Sequence, residues 1–399
     1  MPAKGDDGAS IRLWEAARTL GGLTESQLAR ELASLASYSR VRTAICAAMQ
    51  DDGVKFDKMK IAAVNAMPGV SFAATAVVEV DGVGPRLLLH GGQRRGLSKE
   101  LWVFEAGDGW TQLHPEGASP SERTQATMTT LNDLCLLFGG FVLNVGETNE
   151  VWNLQLVPGD GTLEAACELL ECNGEPPAPR YGHSATAAAG QLVVFGGQDS
   201  KVQFNDVACL SPDGFAWSQP VVSGLPPSVR TRHTACAVAD TALLVVGGFN
   251  REARVLADFY TLTLAEDFGT AEWAEVTPEV DGDGMPPRAQ HAAAVEKGHA
   301  LLFGGYDGTK NLCDLWVLDL PNQVLREIKC APPPEARCRH AIHYIGAHLH
   351  VVGGYDGSKP HAGDVWVAEL DDPAGALANK AVEGAKKPEA AAAGEGDDE

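Results

Sequence analysis

Six times in this chain a short apolar run stops on a pair of glycines. The runs are RLLLHGG (Gly91, Gly92), LCLLFGG (Gly139, Gly140), QLVVFGG (Gly196, Gly197), ALLVVGG (Gly247, Gly248), ALLFGG (Gly304, Gly305) and LHVVGG (Gly353, Gly354). Successive pairs lie 48, 57, 51, 57 and 49 residues apart. A helix would not tolerate the pair, and a two-residue hairpin would not need the ten or so residues before the next apolar run. An internal period of this length constrains the fold more than any local motif does.

The rest of each unit repeats as well. After each second glycine comes another apolar segment, in order ELWVFEA, EVWNLQL, DVACLSP, DFYTLTL, DLWVLDL and DVWVAEL. A further tryptophan often follows, as at Trp110, Trp217 and Trp273. Upstream of most pairs stands a proline-rich turn, then an arginine with histidine three positions on: PRYGH (Arg180, His183), VRTRH (Arg230, His233), PRAQH (Arg288, His291) and ARCRH (Arg337, His340). Four short apolar runs bounded by turn residues read as four strands per unit, the second buried on both faces. A four-stranded sheet repeated at roughly fifty residues is the signature of a propeller. The glycines then end the second strand where it crowds its neighbours near the axis, and a side chain there would collide with an adjacent blade. Aromatic residues of the third and fourth strands fill the space between blades.

These units resemble the kelch-repeat family. The resemblance rests on the six glycine pairs, the spaced aromatics, PRYGH, GGYDGTKNLCDLW and GGYDGSKPHAGDVW, and covers about residues 54–371. It implies an all-β, six-bladed kelch β-propeller, a strong statement about fold and a weak one about function. Three departures stand out: Val207 and Ala208 where other units place tryptophan, no Arg/His pair in the first unit (MPGVSFAA), and Ala126 in place of histidine in the second. The sixth unit has no fourth strand after DVWVAEL, whereas VKFDKMKIAAV upstream alternates apolar and polar residues. A strand at about 55–64 is therefore expected to complete the last blade. Residues 1–53 form a helical N-terminal extension: Ser10 caps IRLWEAARTL, and Thr24 with Gln27 forms a capping box before a stripe of Leu28, Leu32, Leu35, Ile45 and Met49. The stripe either packs on the propeller or docks a partner. Residues 372–399, rich in Ala, Gly and Glu, read as a disordered acidic tail.

Composition narrows the class of partner. The net charge is −22, and the acids and lysines of residues 373–399 account for only −3 of it. A body carrying the remainder repels phosphate backbones and anionic lipid, so neither nucleic acid nor membrane is expected. No stretch of eighteen apolar residues exists. Nine cysteines with no CxxC pair argue against a disulfide framework or zinc site and for a reducing, cytoplasmic setting.

In kelch rings the turn before the first strand and the loop after the glycine pair emerge at one end. The resemblance therefore gathers Arg123, Arg180, Arg230, Arg288 and Arg337 around one mouth, with Arg94, Arg95, Arg251 and Arg254 added from the loops. Arginines at this position often grip acidic peptides in the family, and a guanidinium fork matches a carboxylate bidentately. The opposing reading has them bonding backbone carbonyls between blades. The histidine column is expected to hydrogen-bond within each blade. His343, His348 and His350 join His340 in one short segment, but no carboxylate stands at ligand spacing, so no metal is assigned. No Ser/His/Asp order, phosphate loop or HExxH motif is present, so no catalytic residue and no cofactor is assigned. The expectation is a monomeric protein-binding scaffold whose mouth takes an acidic segment or C-terminal carboxylate of a partner protein. An enzyme with its site in the same mouth, of sugar-isomerase type, and a small-GTPase effector are the alternatives.

Overall fold

The structure, a computed structural model, describes residues 56–59, 67, 69–106, 108–159, 163–252, 254–330, 333–345, 348–361 and 364–369. The expected helical extension and acidic tail lie outside these residues. Among the described residues there is no helix, and six sheets of four or five strands follow one another in chain order. The first sheet is Ala74–Val80, Gly84–His90, Leu101–Glu105 and Gly109–Leu113, paired consecutively and antiparallel. The other sheets repeat this meander. In the sixth, Ala341–Ile345, His348–Val352 and Val365–Glu369 are joined by Phe56–Lys58, which pairs antiparallel with Val365–Glu369. Residues 55 and 60–64 of the expected strand lie outside the described residues.

The third, fourth and fifth sheets carry a fifth strand that four apolar runs per unit did not announce. Asn173–Gly174, Val221–Gly224 and Glu279–Asp281 each pair in parallel with the outermost strand of the sheet that follows them. These segments are polar or short, so hydrophobic periodicity carries no trace of them.

The core lies between sheets. Val193, Phe195 and Cys209 of the third sheet pack with Leu243, Leu262 and Trp273 of the fourth. Val352 and Val365 of the sixth pack with Leu87, Leu89 and Trp110 of the first, so the last sheet shares a core with the first as neighbours in sequence do. Aromatics bridge the same seams: Trp217 stacks on Phe138 at 5.2 Å and Trp273 on Phe195 at 4.8 Å, each one sheet apart.

Both glycines of a pair have positive φ, and their crowding differs. A Cβ on Gly247 would lie 2.5 Å from the Arg288 carbonyl oxygen of the next sheet, and one on Gly248 would lie 2.7 Å from His233 Cβ of its own sheet. The first glycine thus meets the adjacent sheet, as the sequence implied, and the second meets the first strand of its own unit. The Gly248 N–H also donates to the Arg288 carbonyl at 2.9 Å, and the same bond recurs from Gly92, Gly140, Gly197 and Gly305 to the following arginine. Gly354 closes the series on Val70 at 3.2 Å.

Candidate functional site

The arginine column lies inside the wall. Arg123, Arg180, Arg230, Arg288 and Arg337 are at most 1% exposed. Each stands four residues before its unit's first strand and projects toward the glycine pair and the start of the third strand. Arg180 Nη1 donates to the Gly196 carbonyl at 2.9 Å, and its two Nη atoms reach Asp206 Oδ1 and Oδ2, both at 2.7 Å. Arg230 holds Asp258, Arg288 holds Asp314 and Arg337 holds Asp364 in the same forked manner, while Arg123 reaches Glu150 at 2.7 Å. The acids are the first residues of EVW, DVA, DFY, DLW and DVW, and Trp152 and Trp316 donate their indole N–H to the same carboxylates. The expectation that these five line the mouth is therefore corrected. A fully buried guanidinium with its carboxylate supplied is out of a partner's reach, and losing that carboxylate would leave an unpaired buried charge. The sequence carries only the spacing of this pairing, an acid 26–28 residues after each column arginine.

The histidine column also differs from expectation. His183 Nε2 lies 2.9 Å from Thr127 Oγ1, His233 Nε2 lies 2.9 Å from Ser184 Oγ, and His340 Nε2 lies 3.1 Å from the Phe303 carbonyl, each partner in the preceding sheet. These contacts run between units and not within them. Burial, and then the adjacent column arginine, holds all four rings neutral: His233 and His340 are lowered to about 3, and His183 and His291 lie well below the ordinary histidine value. His183, His233 and His340 each meet a phenylalanine edge-on from the sheet before, Phe138, Phe195 and Phe303. Ala126 breaks the column, and His90 stands where those phenylalanines stand, immediately before the glycine pair of the preceding unit. The aromatic has changed sides of the seam.

A second circle of residues lies nearer the axis. Phe72, Gln125, Gly182, Arg232, Gln290 and Arg339 each have φ between 56° and 66°. Each donates its N–H to the carbonyl of the one before: Gln125 to Phe72 (3.2 Å), Gly182 to Gln125 (3.1 Å), Arg232 to Gly182 (2.7 Å), Gln290 to Arg232 (2.9 Å) and Arg339 to Gln290 (2.9 Å). Phe72 donates to Arg339 at 3.2 Å and closes the circle. These six left-handed residues line a central opening of about 140 Å³.

Two of these side chains are cationic, and sequence reasoning singled out neither. Among the described residues Arg232 and Arg339 form no ion pair. The Arg339 guanidinium lies 4.6 Å from the Phe72 ring centroid and 5.0 Å from that of Tyr355, and the Arg232 guanidinium lies 5.6 Å from Phe72. Each spends its Nε on a glutamine, Arg232 on Gln125 Oε1 at 3.1 Å and Arg339 on Gln290 Oε1 at 2.9 Å. Gly182 makes room: a Cβ there would collide with Thr231 Oγ1 and lie 3.5 Å from Arg232 Cγ, so Arg232 crosses the position to reach Gln125 of the second unit. Burial, and then the positive field of Arg339, lowers the pKa of Arg232. Two like charges share a half-buried opening with no acid between them, an arrangement that favours an incoming carboxylate.

The loop arginines occupy the same end, since the residue after each column arginine bridges the residue after each glycine pair, as Tyr181 does Gln198 and Thr231 does Phe249. Arg95 and Arg254 are exposed and make no ion pair among the described residues. Arg94 is paired with Glu100, the first unit's member of the acid series. Arg251 is exposed, and its Nη1 donates to the Lys201 carbonyl at 2.6 Å. Of the histidine-rich segment, His343 is tied to Thr75 Oγ1 at 2.8 Å and lowered by burial to about 4, and His350 Nδ1 lies 3.1 Å from the His348 carbonyl. Glu335, His361 and Asp364 bring ligand atoms within 4.8 Å of one another, but the Arg337 guanidinium already engages both carboxylates.

The KLHDC2/KLHL20/DRC7 Kelch-repeats domain matches residues 74–279 and 216–374. An F-box/kelch-repeat protein of Arabidopsis thaliana is 26% identical over 63% of this chain and 55% of its own length. Kelch domain-containing protein 2 of Bos taurus is 30% identical over 58% of this chain and 64% of its own length. The Rab9 effector protein with kelch motifs of Mus musculus is 29% identical over 56% of this chain and 60% of its own length. The matched stretch spans less than two thirds of each relative. With the doubled glycines, the paired arginine and acid columns and the family match over the same residues, the chain belongs to the kelch-repeat family.

Proposed function

We propose that this chain is a protein-binding scaffold, not an enzyme, and that its central opening grips an acidic segment or a C-terminal carboxylate of a partner protein through Arg232 and Arg339. The six sheets are the blades of one closed ring spanning about residues 54–371, with Phe56–Lys58 as the strand that shuts it. The observation that carries the binding reading is the pair of guanidinium groups at the opening, neither of them in an ion pair among the described residues. Arg95 and Arg254 add positive field at the rim.

The test is titration of fluorescent acidic peptides against wild type and an Arg232→Gln, Arg339→Gln double variant at two salt concentrations. Wild type is expected to prefer acidic peptides over versions with lysine in place of the acids, and to weaken as salt rises. The double variant should bind at least about tenfold more weakly, the equivalent of roughly 1.4 kcal/mol, with an unchanged melting temperature. Indifference to peptide charge, or full binding by the double variant, would remove the proposal. Deleting residues 1–66 tests the ring: cooperative melting at the full-length temperature would show that the strand does not close it. A second reading, small-GTPase effector, is favoured by the Rab9 effector relative, and nucleotide-dependent retention of a GTPase would support it.

A further inference from the structure

The outermost strands of the sheets differ in what covers them. In the third, fourth and fifth sheets the linker from the preceding sheet lies along the outermost strand in parallel, as Val221–Gly224 does along Thr270–Trp273. The linkers that would do this for the first and sixth sheets include residues 60–66 and 331–332, outside the described residues. The second sheet's linker, residues 114–122, is described throughout, yet Leu163–Leu169 has no neighbour there but Val151–Pro158. That linker is short: Arg123 follows Leu113 by 10 residues, whereas Arg180 follows Leu169 by 11 and Arg230 follows Ser218 by 12. It also holds Pro115 and Pro120, which have no N–H to give a ladder. The edge of Leu163–Leu169 is therefore open among the described residues, at a position that three sister sheets fill with a parallel strand.

The groups offered at this edge follow from the register. The Leu170 N–H donates to the Val151 carbonyl at 2.9 Å, and the antiparallel alternation runs from there. Glu164, Ala166 and Glu168 bond inward, and Leu163, Ala165 and Cys167 turn their N–H and C=O groups to the open side. In the fourth sheet the fifth strand uses such groups, the Val221 N–H donating to the Gly269 carbonyl at 2.9 Å. The side chains alternate too. Leu163, Ala165 and Cys167 pack on the core shared by the first and second sheets, whereas Glu164 and Glu168 are exposed. Neither glutamate forms an ion pair among the described residues. A strand added here extends the core with every second residue and meets the two carboxylates with the others, which favours lysine or arginine there. A second copy of this chain is a poor occupant. A two-fold pair of these strands centred on Ala166 sets Glu164 opposite Glu168, and a net charge of −22 on each copy adds repulsion.

We propose that the open edge of Leu163–Leu169 is a second docking site, independent of the central opening, and that it takes in parallel an extended segment of a partner protein in which aliphatic and basic residues alternate. Main-chain hydrogen bonds supply the affinity, and Glu164 and Glu168 select the charge.

The experiment uses the full-length chain and two fluorescent decapeptides, one with a central Val-Lys-Val-Lys-Val run in a Gly-Ser background and one with glutamate in place of lysine. The basic peptide should bind at least about tenfold more tightly than the acidic one, and its capture should slow amide hydrogen exchange across residues 163–169. Ala165→Pro removes an N–H that faces the edge and none that faces the sheet, so it should abolish capture with little change in melting temperature. Glu164→Lys with Glu168→Lys should reverse the preference between the two peptides, a readout that stands even if the proline variant fails to fold. Arg232→Gln with Arg339→Gln should leave this capture unchanged, which separates it from binding at the opening. Equal binding of both peptides, protection confined to other residues, or an unaltered preference in the glutamate variant would overturn the proposal. So would failure of the full-length chain to capture either peptide. Concentration-dependent dimerisation that Ala165→Pro removes would assign the edge to a second copy of the chain and overturn it as well.

Discussion

Arg230 and Arg232 stand two residues apart just before one strand, Thr234–Ala239, and their surroundings are opposite. Arg230 is fully buried and bidentate on Asp258, whereas Arg232 reaches the central opening with a glutamine on its Nε and Arg339 as its charged neighbour. Arg337 and Arg339 repeat the contrast in the sixth unit. The arginine that recurs in five of the six units holds the wall together, and the arginine that occurs in only two faces the opening. In a repeat, the invariant column answers a requirement shared by all units, which is packing; a residue that breaks the pattern answers something only part of the ring needs. The repeat's most regular charged residue is therefore a poor guide to the site.

That contrast can be tested from both ends. The largest effect is expected for Asp314→Ala, which leaves the fully buried Arg288 without its carboxylate. Removing one partner of a buried pair costs about 3–5 kcal/mol, read by urea melts, and a loss below about 1 kcal/mol would show that the column is dispensable. Gly247→Ala should cost about 2–4 kcal/mol, because φ is +56° and the new Cβ would meet the Arg288 carbonyl at 2.5 Å. A wild-type melting curve for that variant would break the crowding argument.

The third prediction is a pH dependence. His233 and His340 titrate at about 3 in the fold and near 6.5 when unfolded, so below 6.5 the unfolded chain takes up protons the native chain refuses. Their contribution is fully present above pH 6.5 and is lost as pH falls from there toward 3. Each should account for about 2 kcal/mol of lost stability between pH 7 and pH 5, and a His233→Asn variant should show a correspondingly shallower slope. The smallest effect on stability is expected for Arg232→Gln, within about 0.5 kcal/mol of wild type, since it removes a repulsion and no ion pair. A collapse of stability there would make Arg232 a wall residue like Arg230 and dissolve the contrast.

Much of the architecture was legible in the letters. The glycine pairs marked the ends of second strands because no other residue fits a positive φ against a neighbouring backbone, and that demand recurs in every unit. The parallel fifth strands were not legible, because Val221–Gly224 and Glu279–Asp281 are exposed and leave no hydrophobic rhythm. The column arginines were legible as a column but not as buried, since burial depends on whether a carboxylate arrives from the third strand 26–28 residues later.

The chain's letters alone determined the period, the number of glycine-marked units, the mainly acidic charge and the family, since each is a property of spacing and composition. Only the folded arrangement decided which charged groups meet. Arg232 shares the opening with a second cation because Gly182 is empty beside it and Arg339 arrives from a unit more than a hundred residues away, and neither fact exists along the chain. Electrostatic environment depends on distances in space and on what has been excluded from water, so the same residue type two positions apart becomes a rivet in one place and an open hand in the other.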